Sequence, residues 1–266
     1  MGRKLVSALG WGVVSILGCS VASAANIGVD IVGSGTNDTL TSTQTAGVVS
    51  QSNWNNTTAG VKSGPLIAYA DTAPSSYVLF NYSGTSTYNA INGGGTLNTA
   101  NGDEVLNNGG IYSNGTGTPN TVTITGIASV GSTYNVYAYL ITDHPADINV
   151  TLTPTGGTAM GPIYVTTPNA NATGYFDNSA SGFTYTPGTS TTAASPTVGA
   201  DYVSFTLPSS VSSFTLSEAL TDTTAGATNG ALDGVQLTGV VPEPASVAFF
   251  GITALGLLLR RRGNRN

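Results

Sequence analysis

Apolar and polar residues alternate along several short stretches in the middle of the chain. In Thr121–Thr125, Val122 and Ile124 fall on one face and threonines fall on the other. A period of two is the pattern of a half-buried β-strand. Four further stretches alternate in the same way: Ile148–Thr153, Tyr202–Leu207, Ser213–Ser217 and Val235–Leu237. These stretches predict strands that turn one face towards a core.

The stretch Tyr134–Ile141 is apolar on both faces, which favours a central strand that is covered twice. Residues 26–240 contain no twelve-residue stretch with helical periodicity. Breaks rich in glycine, asparagine and proline separate the predicted strands: Ile91–Gly95, Asn107–Gly110, Thr155–Gly157 and Pro187–Pro196. We therefore predict an all-β protein whose body is a single antiparallel β-sandwich of the jelly-roll kind.

The first 25 residues have the three parts of a secretory signal. Arg3 and Lys4 are followed by the apolar stretch Leu5–Gly18, and a small-x-small box then allows cleavage after Ala24 or Ala25. We predict a signal helix in residues 1–25 that is removed on export.

The single cysteine, Cys19, lies inside this signal. The stretch Ile16–Cys19 loosely resembles a lipoprotein box, in which this cysteine would be lipidated. Under ordinary cleavage, Cys19 leaves with the signal. The mature chain would then lack a disulfide, a thiol nucleophile and a thiolate metal site.

The last 26 residues combine three features in a fixed order. The triplet Pro242-Glu243-Pro244 excludes helix, the stretch Ala245–Leu259 is apolar, and three arginines follow, Arg260, Arg261 and Arg262. Arginines next to an apolar segment favour the cytoplasmic side of a membrane. We predict a transmembrane helix in residues 245–259, although its ~22 Å is short for a ~30 Å hydrocarbon core unless the arginines snorkel. The alternative is a buried C-terminal helix.

This tail resembles the PEP-CTERM sorting signal of bacterial envelope proteins. The resemblance implies processing near the triplet by exosortase, a membrane-embedded cysteine protease. The predicted organisation is a signal peptide in 1–25, a β-sandwich in 26–240 and a sorting tail in 241–266. The chain would be anchored in the membrane through its C-terminal helix until it is processed.

The charge of the body restricts its partners. Lys62 is its only lysine or arginine against twelve acidic residues, so residues 26–240 carry a net charge of −11 with His144 neutral. Such a surface lacks the basic footprint that phosphate binding needs, so we expect no nucleic-acid partner. It would tolerate divalent cations.

The body also resembles, more weakly, exported β-sandwich domains related to galactose-binding-like modules. Domains of this shape often bind glycans, but the resemblance transfers no binding residue. It rests on six stretches: Ile27–Gly33, Ala46–Val49, Asn53–Asn56, Thr121–Ile127, Tyr134–Tyr139 and Leu232–Leu237.

The first candidate site is Asn53-Trp54-Asn55-Asn56, which holds the only tryptophan of the body. A tryptophan face stacks on sugar rings, and asparagine amides can donate to and accept from hydroxyl groups. These four residues would then bind a glycan. The alternative is a loop in which Trp54 plugs one end of the sandwich and the asparagines cap turns.

Two further groups of polar residues are candidate sites. Asp143 and Asp147 flank the only histidine, His144, in a segment that reads as a turn or as a calcium loop. Neither a Gly-x-Ser-x-Gly elbow nor a second histidine supports catalysis or zinc binding there. Glu104, next to Asp103, and Glu218 could pair as the carboxylates of a glycoside hydrolase. No cofactor is required, and the abundant oxygen ligands allow a structural calcium.

The sequence as a whole predicts an exported, non-catalytic protein of the cell envelope or extracellular matrix, with exosortase as its partner. A carbohydrate-binding module that contacts extracellular polysaccharide is the alternative, and a secreted glycoside hydrolase is the third reading.

Overall fold

The computed structural model describes residues 26–35, 37–69, 77–91, 97–127, 133–172, 175–176, 183–222 and 229–240. All of them belong to one unit, Ser23–Pro242. The signal with its cleavage sites, Ala24 and Ala25, lies outside the described residues. The same holds for the triplet, the predicted helix 245–259 and the three arginines, so the predicted domain boundaries stay a prediction.

Within these ranges the chain forms sixteen strands and one helix of five residues. The helix is α1, Gly102–Leu106. The strands are β1 Asn26–Asp30, β2 Asn55–Asn56, β3 Ser63–Tyr69, β4 Tyr77–Ser83, β5 Ser86–Asn89, β6 Gly109–Asn114, β7 Asn120–Thr125, β8 Thr133–Tyr139, β9 Asp147–Pro154, β10 Met160–Thr166, β11 Pro187–Gly188, β12 Thr197–Val198, β13 Tyr202–Pro208, β14 Ser213–Asp222, β15 Asn229–Leu232 and β16 Gly234–Val240.

Two large sheets and one small sheet result. The six-stranded sheet has the order β11-β13-β8-β16-β1-β2, and the seven-stranded sheet has the order β12-β10-β9-β14-β7-β4-β3. One hydrophobic core joins their inner faces, with residues such as Val136 and Leu237 from the first sheet and Ile124 and Leu216 from the second. The third sheet, β15-β6-β5, has three strands. The all-β prediction is confirmed.

The alternation of residues produces these strands as predicted. In β7, every second residue is buried from Asn120 to Ile124, and its neighbour β14 buries Phe214 and Leu216 in the same way. The predicted strands at β9, β13 and β16 also form. Burial of one face in each of these longer strands closes the core between the sheets.

The doubly apolar stretch becomes the central strand β8, flanked by β13 and β16. One face enters the core through Tyr134, Val136 and Ala138. On the other face, Tyr137 is half-buried and packs against Tyr202 with ring centroids 6.0 Å apart, whereas Tyr139 is fully buried. The second cover is therefore a layer of tyrosines on the sheet.

Two expectations about the sheets were wrong. The sheets are not wholly antiparallel, because β2, β11 and β12 each run parallel to a neighbour. Each of these strands is a two-residue stretch of a loop at the edge of a sheet. A loop can run past an edge strand in the same direction and pair with it in parallel. The predicted break Asn107–Gly110 is partly a strand, since Gly109 and Gly110 open β6. A Cβ on Gly110 would lie 2.7 Å from the carbonyl oxygen of Leu232, so this glycine permits close strand packing.

In the parts of the chain that the structure describes, no helix has the length and apolar character needed to cross a membrane. The two helices predicted at the ends of the chain lie outside these parts.

Candidate functional site

A polar cleft of about 640 Å³ opens beside the three-stranded sheet. Ten of its fourteen lining residues have side chains that carry a hydrogen-bonding group. The lining consists of Ser34, Gly35, Asn37, Thr87, Tyr88, Asn89, Ile91, Leu97, Asn108, Tyr112, Thr142, Asp143, Asn229 and Ala231.

The pairing of three short strands brings these residues together. In the register of β5 with β6, Tyr88 lies opposite Gly110, and in that of β6 with β15, Tyr112 lies opposite Ala231. The loop after β1 closes another side. A Cβ on Gly33 would lie 2.1 Å from the carbonyl oxygen of Tyr88, so only glycine allows this loop to lie so close to β5.

The side chain of Tyr88 is held in place by hydrogen bonds of its hydroxyl group. Its hydroxyl donates to the carbonyl oxygen of Ile141 and shares a second hydrogen bond with the carboxyl group of Asp233, and the backbone N–H of Ile141 donates to the other oxygen of that carboxyl group. Asp233 is 0% exposed, and burial raises its pKa well above its usual range. On the cleft side, Tyr88 meets Tyr112 edge to face, with ring centroids 6.3 Å apart. Two tyrosine rings nearly at right angles thus line one wall.

The amide groups of the lining are also held in place. Asn108 is 3% exposed, and its Oδ1 accepts from the backbone N–H of Ile91 at 3.2 Å. Its Nδ2 has no acceptor among the described residues. The Nδ2 of Asn89 donates to Asp38 Oδ2 at 3.0 Å. A Cβ on Gly35 would lie within 2.6 Å of three atoms of the Asn89 amide, which shows how closely this loop packs on it. The cleft therefore offers oriented amides.

Asp143 is the only acidic residue of the described lining, and no lysine or arginine belongs to it. His144 lies outside the lining, and its Nδ1 is 3.3 Å from Asp143 Oδ1 in an exposed pair. The cleft is thus polar but almost uncharged.

The predicted glycan-binding cluster is placed elsewhere. Trp54 is 6% exposed, its Nε1 donates to the carbonyl oxygen of Gln51 at 3.1 Å, and its ring meets Tyr139 at 6.0 Å. The exposed aromatic platform expected of Trp54 is therefore not formed. The reason is that Trp54 joins a second apolar cluster with Leu40 and Leu106.

The asparagines around Trp54 have structural roles, and two of them form hydrogen bonds with the backbone. Asn55 Nδ2 donates to the carbonyl oxygen of Gly28 at 2.9 Å. Asn56 donates to the carbonyl oxygen of Leu40 at 2.8 Å and accepts from its N–H at 3.1 Å. Asn53 is exposed and adopts a left-handed conformation with φ of 56°. Trp54 is therefore buried, as in the alternative, but it packs with Tyr139 on the face of β8 opposite to the core, and Asn55 and Asn56 form β2 rather than a turn.

The two candidate calcium ligands do different things. Asp143 lines the cleft, whereas Asp147, at the start of β9, accepts from the hydroxyl of Thr166 on β10. In the described ranges, no group of three or more His, Cys, Asp or Glu side chains is arranged to hold a metal. Calcium binding through Asp143 and Asp147 stays a prediction.

The carboxylates considered for glycoside hydrolysis are closed off from solvent. Glu104, in α1, is buried and accepts from the N–H of Asn98 at 2.6 Å. Glu218, on β14, is also buried and accepts from Asn120 Nδ2 at 2.6 Å. Burial raises the pKa of Glu218 to about 8. The two side chains bond different segments, and neither lines the cleft.

Asp103, the neighbour of Glu104, also serves the fold. Its Oδ1 accepts from the N–H of Gly47 at 2.7 Å and from the hydroxyl of Tyr185 at 2.8 Å. Through Oδ1, Asp103 therefore ties the loop before β2 and the segment around Tyr185 to α1.

Comparison with known proteins gives one result, and it concerns the tail. Residues 240–262 match the family described as the PEP-CTERM protein-sorting motif. The search of curated proteins and the search of solved structures found no match. The resemblance of the body to galactose-binding-like modules therefore stays a prediction, and the sorting motif is what this chain shares with a known family.

Proposed function

We propose that this protein is an exported component of the cell envelope or extracellular matrix that is sorted and processed through its C-terminal tail by exosortase. The observation that carries this proposal is the match of residues 240–262 to the PEP-CTERM protein-sorting motif. The triplet Pro242-Glu243-Pro244 and the arginines Arg260, Arg261 and Arg262 all lie inside the match.

The fold is compatible with removal of the tail. β16 ends at Val240, where the motif begins, and it lies inside its sheet between β8 and β1. A cut near the triplet would therefore leave every described strand intact. Before the cut, the apolar stretch 245–259 would hold the chain at the membrane. After it, an acid-rich sandwich of net charge −11 would remain outside the cell.

The strand order supports a jelly roll as the class of the sandwich. The strands β1-β16-β8-β13 of one sheet face β7-β14-β9-β10 of the other across one core. When these eight strands are taken in chain order and the strands inserted between them are left out, the sheet changes from β1 to β7, β7 to β8, β8 to β9, β10 to β13, β13 to β14 and β14 to β16. Such crossing connections are those of two interlocked Greek keys.

A non-catalytic role fits the side chains that hydrolysis would need. Glu104 and Glu218 are buried in separate hydrogen-bond networks, so neither can reach a glycosidic oxygen. His144 is exposed beside Asp143 rather than buried next to a nucleophile. These placements favour display or binding over chemistry.

A second candidate function, carbohydrate binding, is favoured by the polar cleft beside β5, β6 and β15. Its paired tyrosines and oriented amides are groups that contact sugars, while Trp54 is not available for that role.

Sorting can be tested with two variants of the tail in the native host. Glu243→Ala alters the triplet, and Asn264→Ala alters the tail beyond the matched residues. We expect the wild type and Asn264→Ala to be shortened and recovered outside the inner membrane. Glu243→Ala should accumulate at full length in the membrane fraction. Identical size and location of all three proteins would overturn the proposal.

A further inference from the structure

We propose that the cleft beside the three-stranded sheet binds a neutral glycan, with Tyr88 and Tyr112 as the stacking surface and Asn108 as a hydrogen-bond donor. The inference deepens the carbohydrate-binding candidate. It depends on the proposed export only because export would bring the protein to extracellular polysaccharide, the source of the glycan.

Charge selects the class of ligand. No lysine or arginine belongs to the described lining, Asp143 contributes a carboxylate, and the body carries a net charge of −11. An anionic ligand such as a phosphate ester or a uronic acid chain would meet only like charge there. A cationic ligand would meet a single half-exposed carboxylate and no second acidic residue in the described lining. An uncharged polar ligand would meet neither the repulsion that an anion would meet nor the shortage of acidic partners that a cation would meet.

The tyrosine pair gives this ligand a surface. A sugar ring presents apolar C–H groups on its faces, which an aromatic ring covers well. The hydroxyl of Tyr88 is held by Ile141 and Asp233, so its ring does not have to be ordered on binding. Tyr112 is half-buried, and its hydroxyl has no partner among the residues that the structure describes. That hydroxyl can donate to or accept from a sugar hydroxyl.

The polar groups around the rings match hydroxyl groups. Asn108 presents Nδ2 as a donor while Ile91 holds its Oδ1. Asn89 presents Oδ1 as an acceptor while Asp38 holds its Nδ2. Sugar hydroxyls both donate and accept, so a fixed donor and a fixed acceptor can be satisfied by neighbouring hydroxyls. Side chains that are fixed before binding lose little conformational entropy when the ligand arrives.

The size of the cleft agrees with a short stretch of glycan. Its volume of about 640 Å³ lies inside the range of roughly 300–1,000 Å³ found for small-molecule sites. Sites for drug-like ligands are mainly apolar. This one is mainly polar, which favours a ligand as rich in hydroxyls as a sugar.

The test is an array of neutral and acidic glycans probed with the protein purified after export from its host. We expect binding to one or more neutral glycans and none to purely anionic ones. Tyr112→Ala should weaken binding by about tenfold or more, since stacking contributes on the order of 1 kcal/mol beyond buried area. Asn108→Asp should weaken it similarly, because it retains the acceptor for Ile91 and replaces the donor with an oxygen.

Two matched variants control for general effects. Tyr164→Ala removes a half-buried tyrosine from β10, and Asn53→Asp changes an exposed asparagine in a turn. Both should bind as the wild type does. Thermal unfolding identifies variants that fail to fold, and if Tyr112→Ala is one of them, the isosteric Asn108→Asp decides.

The inference is overturned if no neutral glycan binds, if anionic glycans bind preferentially, or if the cleft variants bind like their controls. Tail processing is measured separately in the same cultures, and it should be normal in Tyr112→Ala. A failure of glycan binding would therefore leave the sorting proposal standing, and a failure of sorting would leave the cleft to be judged by its own variants.

Discussion

Replacement of Glu218 by glutamine should prevent much of the stability loss that the sandwich undergoes between pH 5 and pH 9. Glu218 is 0% exposed on β14. Its Oε2 accepts from Asn120 Nδ2 at 2.6 Å, and its Oε1 has no hydrogen-bond partner among the described residues. One amide donor does not offset the lost hydration of a charged carboxylate. Burial therefore raises the pKa of Glu218 to about 8.

The raised pKa makes stability depend on pH. The folded state binds the Glu218 proton more tightly than the unfolded state, whose pKa is near the ordinary value of 4.5. The resulting stabilisation is fully present below pH 4.5 and is lost as pH rises through about 8. At ~1.36 kcal/mol per pH unit, the two pKa values correspond to about 5 kcal/mol, of which about 3 kcal/mol is already lost at pH 7.

Urea unfolding of the wild type and Glu218→Gln at pH 5, 7 and 9 measures this effect. The two proteins should have similar stability at pH 5, where both side chains are neutral. At pH 9 the variant should be more stable by several kcal/mol. Asp222→Asn, which changes an exposed carboxyl on the same strand, is the matched control and should follow the wild type. A stability difference between wild type and Glu218→Gln that stays constant from pH 5 to pH 9 would refute the reasoning.

Two further substitutions test the packing. Trp54→Ala should lower the free energy of unfolding by about 3–5 kcal/mol, because the indole is buried against Tyr139; a loss below ~1 kcal/mol in urea unfolding would contradict this placement. Gly33→Ala should destabilise more than Gly60→Ala, since its new Cβ would lie 2.1 Å from the Tyr88 carbonyl oxygen. At Gly60 nothing lies within 4 Å, and the added cost is the ~1–2 kcal/mol of an alanine at a positive φ of 72°. Equal thermal unfolding temperatures for the two alanine variants would speak against the close approach of this loop to β5.

Much of the fold could be predicted because each long strand carries its own pattern. The alternation in β7, β9, β13, β14 and β16 directly reports which residues face the core, and the structure confirms it. The tail could be predicted for a different reason. Its three features stand next to each other in the sequence, and the match at residues 240–262 bears out the motif.

The short parallel strands could not be predicted in the same way. β2, β11 and β12 have two residues each, too few to show a period. Their positions depend on where neighbouring strands lie. The hairpin β3–β4 was also missed, although Val78, Phe80 and Tyr82 alternate with exposed residues in β4. That alternation was a signal available in the sequence.

The cleft could not be found from the sequence because its parts are far apart in the chain. Tyr88 and Asp233 are 145 positions apart, yet a hydrogen bond joins their side chains. Only the pairing of β5, β6 and β15 brings these segments together. The local composition predicted a glycan site at Trp54 instead. Trp54 is buried by contacts with Leu106 and Tyr139, and these contacts cannot be seen in the sequence.

The most direct test of the central claim is the mass of the C-terminal peptide of the exported protein, measured in host strains with and without exosortase. The account predicts a terminus at or near Pro242-Glu243-Pro244 in the first strain and an intact terminus at Asn266 in the second. A chain that ends at Asn266 in both strains, and is exported equally in both, would contradict it.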